Sequence, residues 1–114
     1  MKFERFEDII AWQKAKVLTL EIYKLLNKIK DYGYINQIIR ASISIMNNIA
    51  EGYERKSNNE FKQFLYISKG SCGEVRSMLH LGKELEYFSK EQFNKLSGLC
   101  LEIAKILSGL IKVL

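Results

Sequence analysis

Proline is absent from all 114 residues, so every backbone N–H is free to join a helical ladder and no position forces a helix to break. Histidine occurs once, as His80 between Leu79 and Leu81 in a helical pattern. A single histidine with no Glu-x-x-His pair is at odds with a ferritin-like di-metal bundle, and no nucleophile stands with a base. No catalytic residue, metal or cofactor is therefore expected. The Gly70-Ser71-Cys72-Gly73 run lacks the preceding strand and the Gly-Lys-Ser/Thr ending of a phosphate loop. Only two cysteines are present, Cys72 and Cys100, both on apolar seams where a free thiol acts as a small hydrophobe. Met1 to Glu7 carries acids and no apolar leader core, so a cytoplasmic location without disulfides is expected. No uncharged apolar run approaches the roughly 18 residues of a spanning helix. The most apolar segment, Leu99 to Leu114, is interrupted by Glu102, Lys105 and Lys112, and no membrane association is expected.

What the chain does have is helical periodicity. Its length fits one domain over residues 1–114 with a core of its own. A first helix is predicted from Glu7 or Asp8 to Gly33, with the seam Ala11, Ala15, Leu18, Ile22, Leu25 and Ile29, and Gly33 as its left-handed stop. Trp12 stands off that seam, at a bundle edge. Ser57-Asn58-Asn59-Glu60 and Ser89-Lys90-Glu91-Gln92 read as capping boxes opening a third and a fourth helix. The third has the seam Phe61, Leu65, Ser68, Cys72, Val75, Leu79 and Gly82, with Gly70 and Gly73 expected to admit a neighbouring backbone. The fourth runs Phe93, Leu96, Cys100, Ile103, Leu107, Leu110 and Leu114. Short connections then give an all-α, antiparallel up-down-up-down four-helix bundle, about 30 to 40 Å long.

The second helix carries two seams. Ile38, Ser42, Ile45, Ile49 and Gly52 form one, and Ile39, Ile43, Met46, Ala50 and Tyr53 repeat the spacing one residue later. One bundle covers one side, so Ile39, Ile43, Met46 and Tyr53 are expected to face another copy of the chain, unless the bundle interior absorbs both seams. Beside them runs a polar row, Arg40, Ser44, Asn47, Glu51 and Arg55.

Lysine and arginine number 18 against 13 acids, a net charge of +5. The most ordered part of this excess is Lys62, Lys69, Arg76 and Lys83, at strict seven-residue spacing. Seven residues drift only about 20° on a straight helix, so these cations form one row. The plainer account is a solvated flank whose stems cover the core. Against it, Glu74 and Glu84 neutralise only parts of the row. Arg40, Arg55 and Lys56 on the neighbouring helix extend the expected basic surface, of the kind that binds RNA or DNA phosphates. The alternative partner is an acidic protein. No segment has the look of a groove-reading helix-turn-helix or a base-stacking sheet.

Arg40-Ala41-Ser42-Ile43-Ser44-Ile45, Asn48-Ile49-Ala50-Glu51-Gly52-Tyr53 and Arg55-Lys56-Ser57 together resemble the signature of a bacterial four-helix-bundle family. That family is named after proteins encoded in intervening sequences of large-subunit ribosomal RNA genes. Phe6-Glu7-Asp8, Trp12-Gln13-Lys14-Ala15, Glu60-Phe61, Phe64-Leu65-Tyr66-Ile67 and Gly70-Ser71 match it in the same order, so the resemblance covers nearly the whole chain. It departs at Met46, where the family usually has proline, and at Ile35, where a hydroxyl residue usually caps the helix; Asn36 becomes the expected cap. A related branch is the accessory protein of diversity-generating retroelements, a pentameric basic barrel that engages reverse transcriptase and nucleic acid. The resemblance thus implies a homo-oligomer, a pentamer, with RNA, DNA or a reverse-transcriptase-like enzyme as partner.

Overall fold

Four helices carry the chain in the computed structural model, which describes residues 3–114: α1 (Ile10–Leu26), α2 (Tyr32–Tyr53), α3 (Asn58–Glu84) and α4 (Lys90–Val113). Connections of four or five residues make successive helices antiparallel neighbours, and α1 and α4 close the ring. The diagonal pairs make no close backbone approach. The molecule measures 43 × 22 × 19 Å, its length set by the 27-residue α3, which alone spans about 40 Å at 1.5 Å per residue. Leu18, Ile45, Val75 and Ile103, one from each predicted seam, are wholly buried and share one core. Among the described residues, no helix is long and apolar enough to cross a membrane.

The closest pair is α2 with α3, where small residues let the backbones approach. Buried Ser68 donates to the Ile45 carbonyl at 2.9 Å, and Ser44 and Ser71 share a hydrogen bond of 2.9 Å. Gly52 sits against Phe64 so tightly that a Cβ there would lie 2.5 Å from the Phe64 Cβ. Gly70 and Gly73 do not have this role. Both are exposed, and a Cβ at either would meet nothing within 4 Å, because they face away from every neighbouring helix.

Several predicted boundaries move. A 3-10 turn at Phe6–Asp8 precedes α1, and buried Ile9, in an extended conformation, separates the two. Gly33 does not end α1, which stops at Leu26; it lies in the first turn of α2 with an ordinary negative φ. The cause is Asp31, whose carboxylate accepts the Tyr34 N–H at 3.2 Å and caps α2 in place of Asn36. Asp31 also accepts the Tyr87 hydroxyl at 2.6 Å, tying the α1/α2 connection to the α3/α4 connection. That hydrogen bond, with the one from Tyr34, holds the Asp31 carboxyl below the usual range. The bond to Asp31 likewise raises the Tyr87 hydroxyl. Beside them buried Tyr34 donates to the Met78 carbonyl at 2.7 Å, and burial pushes its pKa up to about 12.

Helix α2 runs unbroken through Met46 and ends at Tyr53, short of Lys56. Ser89 makes both arms of its capping box with Gln92. Ser57 makes one: it accepts the Glu60 N–H at 3.2 Å, while the Glu60 carboxylate accepts from the Ser57 hydroxyl at 3.3 Å instead of reaching the backbone. Helix α3 ends in a Schellman turn, Tyr87 N–H to the Gly82 carbonyl and Glu86 N–H to that of Lys83, with Glu86 left-handed at φ 61°.

Candidate functional site

A basic groove lies between α3 and α4. On α3, Lys62 and Lys69 stand seven residues apart with Tyr66 between them; on α4, Lys105 and Lys112 repeat the spacing. Antiparallel packing brings the two lysine pairs to the same end of the bundle, on either side of a groove of about 540 Å³. Between Lys105 and Lys112, Ser108 and Gly109 keep the α4 wall low, and nothing lies within 4 Å of where a Gly109 Cβ would stand.

Among the described residues, no acid lines this groove. The ion pairs among them are Arg5–Asp8, Lys14–Glu102, Arg55–Glu51 and Lys95–Glu21, so none of the four groove lysines is neutralised by those residues. Glu74, which the sequence suggested as a partner for the row, instead accepts from Gln37 of α2 at 2.8 Å. The groove can therefore hold anions by charge, at up to four points.

The α3 row is not uniform along its length. Its drift of about 20° per heptad carries it toward the α3/α4 seam. Lys69 is exposed, but Arg76 is half-buried with its Nε sealed from water and without a hydrogen-bond partner among the described residues. Lys83 lies over the Phe93 ring, 4.4 Å from its centroid, and His80 packs edge-on against the same ring. Lys62 and Lys69 thus join the groove, while Arg76 and Lys83 are drawn into helix packing.

Arg40, Arg55 and Lys56 lie elsewhere. Arg55 pairs with Glu51 at 3.1 Å and covers the Phe64 ring, 4.9 Å away. Phe64 is two residues, about 200°, from Lys62, so Arg55 stands on the opposite flank of α3 from the groove. Arg40, exposed, is three residues from Gln37 and lies along that same polar α2/α3 edge. Lys56 lines a separate hollow at the bundle end with Phe3, Tyr53 and Leu114. Lys105 and Lys112, not singled out from the sequence, line the groove beside Lys62 and Lys69. Their signal was present in the sequence as a second seven-residue lysine spacing, readable once α4 is laid antiparallel to α3.

Ile39, Met46 and Tyr53 are half-buried against the bundle's own core. The Met46 sulfur meets the Thr19 hydroxyl at 4.0 Å, and the Tyr53 hydroxyl donates to the Phe3 carbonyl. Much of the second α2 seam is therefore covered by α1 and the N-terminal segment. Ile43 is half-buried. Tyr23, one turn beyond Thr19, and Ile43, one turn before Met46, reach the same rim, where Leu20 and Tyr23 are about half exposed (51% and 49%).

Residues 7–109 match the family described as 23S rRNA-intervening sequence protein. The chain belongs to this family. A solved structure from Bacteroides thetaiotaomicron VPI-5482, described as a protein with unknown function from the S23 ribosomal protein family, superposes with a TM-score of 0.84 at 30% identity. The match covers 90% of this chain and 99% of that one. No curated protein sequence matches. In this member of the family, no group of three or more histidine, cysteine or acidic side chains among the described residues is arranged to hold a metal ion. Cys72 and Cys100 are free and buried, and burial pushes both thiols up to about 12, far from the thiolate.

Proposed function

We propose that the protein is a non-enzymatic, homo-oligomeric basic scaffold that binds nucleic acid through phosphate contacts in the α3/α4 groove. The observation that carries this reading is the set of four lysines, Lys62, Lys69, Lys105 and Lys112, converging on one groove without an acidic partner among the described residues. Oligomerisation draws on the apolar α1/α2 rim of Leu20, Tyr23 and Ile43, and a pentamer on the family resemblance alone.

Binding of labelled RNA and duplex DNA across a salt series tests the reading. For duplex DNA, four neutralised phosphates give a slope of about −3.6 in log affinity against log salt. The double change Lys69→Glu and Lys105→Glu should weaken binding to every sequence and flatten the slope by about 2, with helicity unchanged. No binding at low salt would discard the nucleic-acid reading and leave the groove to an acidic protein. Light scattering that gives a monomer at tens of micromolar, on the order of weak-interface affinities, would remove the oligomer.

A further inference from the structure

We infer that the α3/α4 groove is shaped for a single nucleic-acid strand, with an unpaired base stacked on Tyr66 and the flanking phosphates held by the lysines of both walls. The inference rests on the phosphate-binding reading above and adds the strandedness of the ligand. Tyr66 is 56% exposed, one turn after Lys62 and three residues before Lys69, and lines the groove with them. It belongs to no core packing, and it stacks on none of the aromatic rings that pair elsewhere in the bundle. A large aromatic face left open to water, between two cations that lack acidic partners among the described residues, is the arrangement by which proteins hold unpaired bases: the ring takes the base and the cations take the backbone.

The dimensions favour one strand over two. Neighbouring helices pack about 8 to 10 Å apart, so the channel between their outer walls is narrow, and lysines seven residues apart are separated by about 10.5 Å along it. A strand laid lengthwise meets Lys62 and Lys69 on one side and Lys105 and Lys112 on the other. Opposite Tyr66, Ser108 and Gly109 leave room for the base itself. A duplex also meets the lysines, but its bases are already stacked on one another and offer no face to Tyr66. Because every base has such a face, the stacking is tolerant of sequence.

Fluorescence anisotropy with a labelled single-stranded oligoadenylate and a labelled duplex of the same length decides the matter. The full chain should bind the single strand with a salt slope of about −2.8 for four phosphates. Tyr66→Ala should lower single-strand affinity about 5- to 160-fold without changing that slope, and leave duplex affinity unaltered. Tyr66→Phe, which keeps the ring, should bind like the parent. Stacking on Tyr66 is refuted if Tyr66→Ala leaves single-strand affinity unchanged, if it weakens single strand and duplex alike, or if Tyr66→Phe is as damaging as alanine. In each of those cases the loss of binding in Lys69→Glu with Lys105→Glu still upholds the phosphate groove. If neither probe binds at low salt, both readings fall together.

Discussion

Replacing glycine by alanine inside a helix normally stabilises it by about 1 kcal/mol, through the backbone entropy that alanine does not lose. Here the sign should depend on which glycine is changed. At Gly52, near the end of α2, the added Cβ would stand 2.5 Å from the Phe64 Cβ, 3.1 Å from the Phe61 Cδ1 and 3.3 Å from the Phe64 Cγ. Carbon atoms rest about 3.5 to 4.0 Å apart, so about 1 Å of separation must be found. The Phe64 Cβ is fixed to the α3 backbone and cannot rotate away, which leaves the helices to part. Overpacking of that kind costs about 1 to 3 kcal/mol, more than the propensity gain returns. At Gly70 and Gly73, in the middle of α3, the methyl group meets nothing within 4 Å, and each alanine should keep its full gain of up to about 1 kcal/mol. Thermal unfolding followed by far-ultraviolet circular dichroism, at one protein concentration for all variants, reads the result. The midpoint should shift on the order of 4 °C per kcal/mol, downward for Gly52→Ala and upward for Gly70→Ala and Gly73→Ala. An increase for Gly52→Ala, or a loss at Gly70 or Gly73, would refute the packing account of α2 against α3.

Ile103→Ala, in the fully buried seam of α4, should cost about 2 to 5 kcal/mol in urea unfolding, and a loss within experimental noise would place Ile103 outside the core. Glu86→Gly should gain up to about 1 kcal/mol by relieving a left-handed non-glycine residue in the Schellman turn, and a destabilised variant would contradict that geometry. Tyr34 keeps its proton in the fold up to about 12, so its contribution to stability is complete below its ordinary value of 10.0 and disappears as pH rises through about 12. Alkaline titration of Tyr34→Phe should therefore lose less stability between those limits than the parent does; equal losses would show that the Tyr34 hydroxyl does not drive that limb.

The core was legible because burial in a helix follows a period that residue identity reveals directly: Leu18, Ile45, Val75 and Ile103 could be named from spacing alone. The ends of the helices were less so, since a cap is decided by competition among nearby residues. Gly33 has the composition of a stop, yet the Asp31 carboxylate two residues earlier takes the Tyr34 N–H and draws Gly33 into α2. Glu86 carries no sequence sign of its left-handed backbone, which the turn around Tyr87 imposes. Glycines were likewise indistinguishable until their neighbours were known: Gly52 of α2 and Gly82 of α3 meet side chains from elsewhere in the fold closely, while Gly70 and Gly73 of α3 meet nothing. The lysine row was visible on α3, but the groove is a property of two helices. Lys105 and Lys112 read in sequence only as interruptions of an apolar segment, and gain meaning when α4 lies against Lys62 and Lys69.

The four edges of the bundle differ in a way that bears on how assembly and binding coexist. The α2/α3 edge spends its polar groups internally, through Gln37–Glu74, Ser44–Ser71 and Arg55–Glu51. The α4/α1 edge is laced by Lys14–Glu102 and Lys95–Glu21. On the α4/α1 edge the ion pairs stand beside an apolar hollow of Ile10, Ile106 and Leu110, while two edges lack such pairs: α1/α2, with exposed Leu20 and Tyr23, and α3/α4, with lysines that have no acidic partner among the described residues. In a closed ring of four helices these two edges are opposite one another. Two copies joined face to face through α1/α2 would therefore turn their grooves outward, with no groove buried by that contact and no like-charged grooves pressed together. If the grooves of several copies contact one strand, the salt dependence should steepen with the number of copies in contact. Two copies that met face to face through the basic edge would have to desolvate four lysines that lack acidic partners among the described residues, a penalty of several kcal/mol per ion that the facing groove, with no acid in its lining, does not offset.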